Sequence, residues 1–311
     1  MKLGKGRRFL AGIALAALMV CSLGACGEKG PKWLSKEVEV IDDNYRTWYE
    51  IFVGSFYDSD KDEMGDLQGV ISKLDYIADT GFNGIWLMPI MPSPSYHKYD
   101  VTDYLAIAPE YGTMEDFDEL VEECDKRGIK LIIDLVLNHT SSEHPWFLEA
   151  CRYLEGLEEG KEPSGEECPY YEYYNFVKGS QSAGGWHQVG STDYYYEGGF
   201  SPYMPDVNFD SQALRKEFED IMKFWLEKGV GGFRLDAVKH FYADMTSKNV
   251  ETLKWVNDYV KSITPDAYMV GECWDGLNVY AQYYASGIDS FFDFEFADSS
   301  GVITKTLTYS G

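Results

Sequence analysis

The chain has 311 residues, 45% of them hydrophobic, enough for one large core and too apolar for a disordered or fibrous protein. Its 52 acidic and 27 basic residues leave a formal charge of −25, so phosphate repels it and nucleic acid is excluded as the main partner. The 24 tyrosines and 8 tryptophans serve either as core packing or as the lining of a groove that stacks on flat apolar faces, as sugar rings offer.

The chain opens with Lys2, Lys5, Arg7 and Arg8 ahead of the apolar run Phe9–Leu23, the pattern of an export signal rather than a membrane span. The run ends Leu23-Gly24-Ala25-Cys26, which resembles a bacterial lipoprotein cleavage box. Residues 1–25 are therefore expected to be a signal peptide. Cys26 would become a lipid-modified N-terminus anchored in the membrane at the cell surface, with 26–42 as a tether. An ordinary cleavage site with an incidental cysteine, giving a secreted protein, is the alternative. Export permits disulfides, and Cys151 and Cys168 share one irregular segment that such a bridge would close, a gain of about 3 kcal/mol. Cys124 falls on a helical pattern and is expected in the core.

Beyond the tether, apolar runs alternate with helical patterns. Tyr45–Phe56 reads as a strand, Leu67–Thr80 as a helix stopped by Gly81, and Gly84–Pro89 as a short buried strand. Met114–Arg127 is helical, with Phe117, Leu120, Val121 and Cys124 on one face and Gly128 as terminator. Lys130–Leu137 is an apolar run broken only by Asp134. Ser211–Lys228 and Val250–Ile263 read as helices, and Gly232–Val238, Tyr268–Gly271 and Ile288–Phe294 as strands. Six strands alternating with helices predict a parallel sheet covered by helices. The alternation breaks once, between Asn138 and Asp210, where Gly, Tyr, Ser and Pro show no period; a loop of that length is functional or a small inserted domain.

Three places carry chemistry. Arg234 and Asp236 are two apart in a strand, so they point to one side, and the guanidinium keeps the carboxylate ionised and orients it. A buried structural ion pair is the plain alternative. Glu272 is a lone carboxylate at the end of the next buried strand, so the two acids are expected to share a cleft. Asp58, Asp60, Asp62, Met64 and Asp66 form a loop with oxygen ligands at alternate positions, which suits Ca²⁺. The loop is not an EF-hand, because its twelfth position is Gly69; a solvated acidic loop is the alternative.

Taken in order, Asp134-Leu-Val-Leu-Asn138-His139, Gly232-Phe-Arg234-Leu-Asp236-Ala-Val-Lys239-His240 and Val270-Gly-Glu272 resemble the first three signature regions of the α-amylase family of glycoside hydrolases. Met204-Pro-Asp206-Val-Asn208 and Tyr99-Asp100-Val-Thr-Asp103-Tyr104 resemble two further segments of that family.

The resemblance implies an α/β fold, a TIM (β/α)8 barrel truncated after about six strands. Residues 43–139 and 209–311 would form the barrel and 140–208 a domain inserted after strand three. It implies Asp236 as nucleophile and Glu272 as acid/base, with Tyr99 and His139 at the sugar before the scissile bond, Arg234 in the same substrate-binding set keeping Asp236 ionised, and Asp134 as a structural or supporting acid. Lys239 and His240 would meet the leaving-group side.

Calcium would bind through Asp58, Asp60, Asp62, Asp66 and the Met64 carbonyl, with a weaker second set at Asn138, Asp206 and the His240 carbonyl. The implied reaction is endo-hydrolysis of α-1,4 links in starch or maltooligosaccharides. The alternatives are an α-glucosidase or oligo-1,6-glucosidase, a neopullulanase, a transglycosylase, or a non-catalytic glycan-binding relative. The family's fourth signature, Asn-His-Asp, does not occur in the sequence, so this polypeptide alone is expected to be a fragment of low stability and activity.

Overall fold

A computed structural model describes residues 45–243, 245–297, 299 and 301–309; the expected signal peptide, Cys26 and the tether lie outside them. Six strands make one all-parallel sheet: β1 Trp48–Ile51, β2 Gly84–Leu87, β3 Lys130–Leu135, β7 Gly232–Leu235, β8 Tyr268–Gly271 and β9 Ser290–Phe291, neighbours in that order. The intervening strands β4 Phe176–Lys178, β5 Trp186–Gln188 and β6 Tyr194–Glu197 form a separate antiparallel sheet in the order β4-β6-β5.

Among the described residues, the α-helices longer than four residues are α1 Leu67–Ser72, α2 Leu74–Asp79, α3 Met114–Lys126, α4 Pro145–Glu155, α5 Gln212–Glu227, α6 Thr246–Ile263, α7 Leu277–Tyr283 and α8 Val302–Tyr309. Parallel strands joined by helices are the half-barrel arrangement that the apolar runs predict.

Register sorts the two faces of the large sheet. Asp134 pairs with Arg234, Arg234 with Val270 and Val270 with Ser290, so these four share one face. Trp48, Trp86, Ile132, Tyr268 and Phe292 pack together on that face as a small cluster of their own. The opposite face carries Ile85, Leu87, Ile133, Leu135, Phe233 and Met269 into the main core, where α3 and α5 add Phe117, Leu120, Phe218 and Trp225. Gly232 is required by geometry: its φ is +142°, and a Cβ would sit 1.9 Å from the Tyr268 carbonyl oxygen.

The structure differs from the sequence reading in identifiable places. The first strand stops at Ile51, and Val53–Phe56 makes a helical turn instead. The expected helix Leu67–Thr80 breaks at Lys73, whose φ of −109° and ψ of 1° are not helical, although Leu67, Val70, Leu74 and Ile77 remain buried across the break. The sixth strand shrinks to Ser290–Phe291. The aperiodic segment contains α4, a 3-10 turn at Pro169–Tyr173 and the three-stranded sheet. Helix α4 had a readable start: Pro145 at its first position and His144, whose Nδ1 accepts the Trp146 N–H. The small strands had none, because three or four residues show too little alternation. Cys151 and Cys168 are free thiols, so the expected local disulfide is not formed.

Candidate active site

The site begins where the parallel strands end. β7 stops at Leu235 and β8 at Gly271, so Asp236 and Glu272 are the next residues in register on neighbouring strands. The Glu272 N–H donates to the Leu235 carbonyl at 2.9 Å, and the Val238 N–H donates to the Glu272 carbonyl at 3.0 Å, which extends the ladder past the two acids. Strands lie about 4.8 Å apart, so the two side chains project side by side into one space.

Arg234 organises that space. Its Nη1 donates to both Asp134 oxygens at 2.9 and 3.0 Å and to Asp236 Oδ1 at 2.6 Å, and its Nη2 lies 3.1 Å from Glu272 Oε2. One guanidinium therefore contacts three carboxyl groups from three adjacent strands. The cation is itself enclosed by rings, with Trp86, Tyr99 and Phe292 centred 5.1, 5.6 and 5.9 Å from its Cζ. Asp134 is fully buried and accepts two more bonds, from Trp86 Nε1 at 3.3 Å and Tyr99 Oη at 3.1 Å.

Burial raises the Glu272 pKa; Arg234 opposes the rise and the neighbouring Asp236 charge adds to it. The Ala237 N–H reaches Glu272 Oε2 at 3.2 Å from a left-handed backbone, φ +47°, rare for a residue with a Cβ and found here between Asp236 and Glu272. Burial also lowers His139 to about 4, so its imidazole is neutral at neutral pH. His139 Nε2 and Asn138 Oδ1 are buried with no hydrogen-bond partner among the described residues.

These groups line a cavity of about 390 Å³ with His97, Tyr99, His139, Phe200, Met204, Arg234, Asp236, Lys239, His240, Glu272 and Trp274 on its walls. The residues that the sequence assigned to catalysis or sugar binding, Tyr99, His139, Arg234, Asp236, Lys239, His240 and Glu272, are thus brought together. Lys239 differs in detail: its ammonium is held by the Trp274 carbonyl at 2.7 Å and Asp275 at 3.1 Å, so it braces the rim. His240 packs edge-on to Phe200.

Sequence reasoning missed His97, Phe200 and Trp274, and it named Met204 only as part of a family-like segment, not as a wall of the cavity. Trp274 had a signal, an aromatic residue two past Glu272; Phe200 sits in the aperiodic segment and had none.

The acidic loop is a second constellation. Oxygens of Asp58, Asp60 and Asp66 lie within 4.8 Å of one another. Asp62 is not among them; its carboxylate accepts the Met64 N–H at 2.8 Å. Asp66 also caps α1 through the Gly69 N–H. Lys61 and Glu63 take left-handed φ values of 73° and 77°, and both donate their N–H to Asp58.

Comparison with known proteins places these features in context. The family described as "Alpha amylase, catalytic domain" matches residues 50–307. "Alpha-amylase 3" of Dictyoglomus thermophilum is 48% identical over 253 residues, covering 81% of this chain and 48% of that protein. "Glucan 1,6-alpha-glucosidase" of Streptococcus pneumoniae is 37% identical over 250 residues, 76% of this chain and 44% of that protein. The solved structure "Eubacterium rectale Amy13B" superposes with a TM-score of 0.85 at 52% identity, covering 88% of this chain and 52% of its own. The chain spans about half the length of the relatives it matches.

Proposed function

The chain belongs to the α-amylase family of glycoside hydrolases, and from that premise we propose that it carries the nucleophile and acid/base of a retaining glycosidase cleaving α-1,4-glucosidic bonds of starch and maltooligosaccharides. The observation that carries this reading is the in-register pair Asp236 and Glu272, both bound to Arg234 at the floor of one cavity. Acids on adjacent strand ends suit the carboxylate separation of about 5–5.5 Å used by retaining enzymes. Asp236 attacks the anomeric carbon as its bond to the leaving oxygen breaks, and Glu272 passes its proton to that oxygen. Glu272, now a carboxylate, takes a proton from water as the water attacks the same carbon and frees Asp236. The raised Glu272 pKa supplies the acid, and the orphaned His139 Nε2 offers a buried partner for a sugar hydroxyl.

Similarity to an α-amylase and the Lys239–His240 pair favour α-1,4 links. Similarity to a glucan 1,6-alpha-glucosidase supports an exo-acting α-1,6 enzyme as the second reading. With the full-length gene product, maltoheptaose is expected to yield mixed short maltooligosaccharides with retained anomeric configuration, and isomaltose to persist. Cleavage of isomaltose alone would select the second reading, and cleavage of neither would remove both.

The donor set at Asp58, Asp60 and Asp66 fits a hard cation, since it offers carboxylate oxygens that lie within 4.8 Å of one another. Calcium there would tie the loop after β1 to the start of α1 through Asp66, a structural role. Asn138 and Asp206 are a weaker second set: the buried Asn138 Oδ1 is orphaned, and Asp206, raised to about 7 by burial, accepts Asn138 Nδ2 at 3.0 Å. Calcium at a hundredfold its Kd is expected to stabilise the gene product by about 2.7 kcal/mol, and Asp60→Asn to lose most of that gain. Calorimetry showing no calcium uptake would remove both sites.

A further inference from the structure

Tyr99 reaches Asp134 and Arg234 from a loop rather than from a strand or helix. It lies in the long connection from β2 to α3, which contributes no strand of its own. Its hydroxyl nevertheless donates to Asp134 Oδ2, and its ring stands against Arg234. Something must hold it there.

The residue before it is unusual in three respects. Lys98 has a left-handed φ of +64°, it is only 3% exposed, and its ammonium forms an ion pair with Glu110. That ammonium also lies 5.1 Å from the centre of the Tyr111 ring. A lysine in this conformation is strained, and a lysine is seldom buried unless paired. The strain persists because the surroundings over-determine the position. Glu110 and Tyr111 belong to a 3-10 turn that leads into α3, and Tyr111 is buried against Gly54 after β1. The ion pair therefore ties the tip of the loop to its fixed base. On the other side, Ser95 and Ser93 bond the buried Asp100, the Lys98 N–H donates to Ser95 Oγ at 3.2 Å, and the Tyr99 N–H meets His97 Nδ1 at 3.2 Å.

We propose that Lys98 and Glu110 are positioning residues for the donor-sugar site: their ion pair locks the left-handed turn that directs the Tyr99 ring onto Arg234 and its hydroxyl onto Asp134. Neither residue is part of the cavity lining, so each acts through Tyr99 rather than facing the cavity itself. The assignment rests on the glycosidase reading for its effect on turnover, but the geometry it asserts is independent of that reading.

The test is a double-mutant cycle on the full-length gene product, with a readout besides activity. Lys98→Met and Glu110→Gln are each expected to lower kcat/KM on maltoheptaose about ten- to hundredfold, the size of loss a displaced positioning group causes, while Lys98→Arg keeps most of it. Combined with Tyr99→Ala, either variant should add nothing to the loss that Tyr99→Ala causes alone. The ring resonances of isotopically labelled Tyr99 should shift in Lys98→Met and Glu110→Gln and not in Lys98→Arg. Losses that multiply with Tyr99→Ala, or unshifted Tyr99 resonances, would overturn the proposal. If the parent protein cleaves no glucoside, the functional reading fails and the resonances alone decide the positioning role. Should Lys98→Met not fold, Glu110→Gln carries the same test from the exposed end of the pair.

Discussion

Asp236→Asn is expected to lower kcat on maltooligosaccharides by on the order of 10⁴-fold or more in the full-length gene product, because removing a nucleophile removes the covalent route rather than weakening it. The substitution keeps the shape and leaves one oxygen to meet Arg234 Nη1, so the fold should survive and the loss should be read as chemistry. Glu272→Gln should cost less, about 10²–10⁴-fold, and its cost should depend on the substrate. With a leaving group that needs no proton, the first step should return to near the parent rate and the second should stay slow.

The pH profile separates the two acids further. Burial raises Glu272, and the acid form is the one required, so activity should fall as pH rises through that raised pKa. The Gln variant should lack this alkaline limb. Equal losses on both substrates, or an unchanged limb in Glu272→Gln, would assign the acid role elsewhere.

Those two acids were legible in the sequence for a physical reason. A strand alternates with period two, so Arg234 and Asp236 had to share a face, and an uncompensated charge at the end of a buried strand marks a site rather than a core. Register then placed Glu272 beside Asp236, a relation that depends only on the two strands being neighbours. Local rules do not reach the rings around Arg234. Trp86 and Phe292 come from β2 and the end of β9, and only the completed sheet brings them to one cation. Nor do they reach Lys98: a lysine in a polar loop reads as a solvated charge, and its partner Glu110 is supplied by a separate turn. The calcium loop was legible in part. Alternation named Asp58, Asp60, Asp62, Met64 and Asp66, but only Asp58, Asp60 and Asp66 converge, and the left-handed turns at Lys61 and Glu63 break the alternation on either side of Asp62.

Arg234→Met should be the most damaging substitution for stability. It leaves Asp134, Asp236 and Glu272 clustered without their shared cation, two of them almost wholly enclosed. Breaking a buried pair by removing one partner costs about 3–5 kcal/mol, because the remaining charge is uncompensated. Arg234→Lys should recover little of it, since a point charge cannot hold three carboxylates from one fork.

The dependence on pH identifies the source. Burial holds the Asp134 carboxyl at about 7 even with Arg234 present, above the ordinary carboxylate value of about 3.9. A carboxyl whose folded pKa is raised binds its proton more tightly folded than unfolded, so its burial costs stability as pH rises toward 7 and the cost fades as pH falls. Without Arg234 the opposing pull is gone, and the carboxyl moves higher still. The stability difference between parent and Arg234→Met should therefore be larger near pH 8 and shrink markedly by pH 5.5, where Asp134 is protonated in both. Urea unfolding at the two pH values measures it. A difference that stays constant would mean that lost packing against Trp86, Tyr99 and Phe292, rather than the stranded carboxylate, sets the cost. A difference that shrinks would identify Arg234 as the counter-ion that allows this face of the sheet to hold three acids.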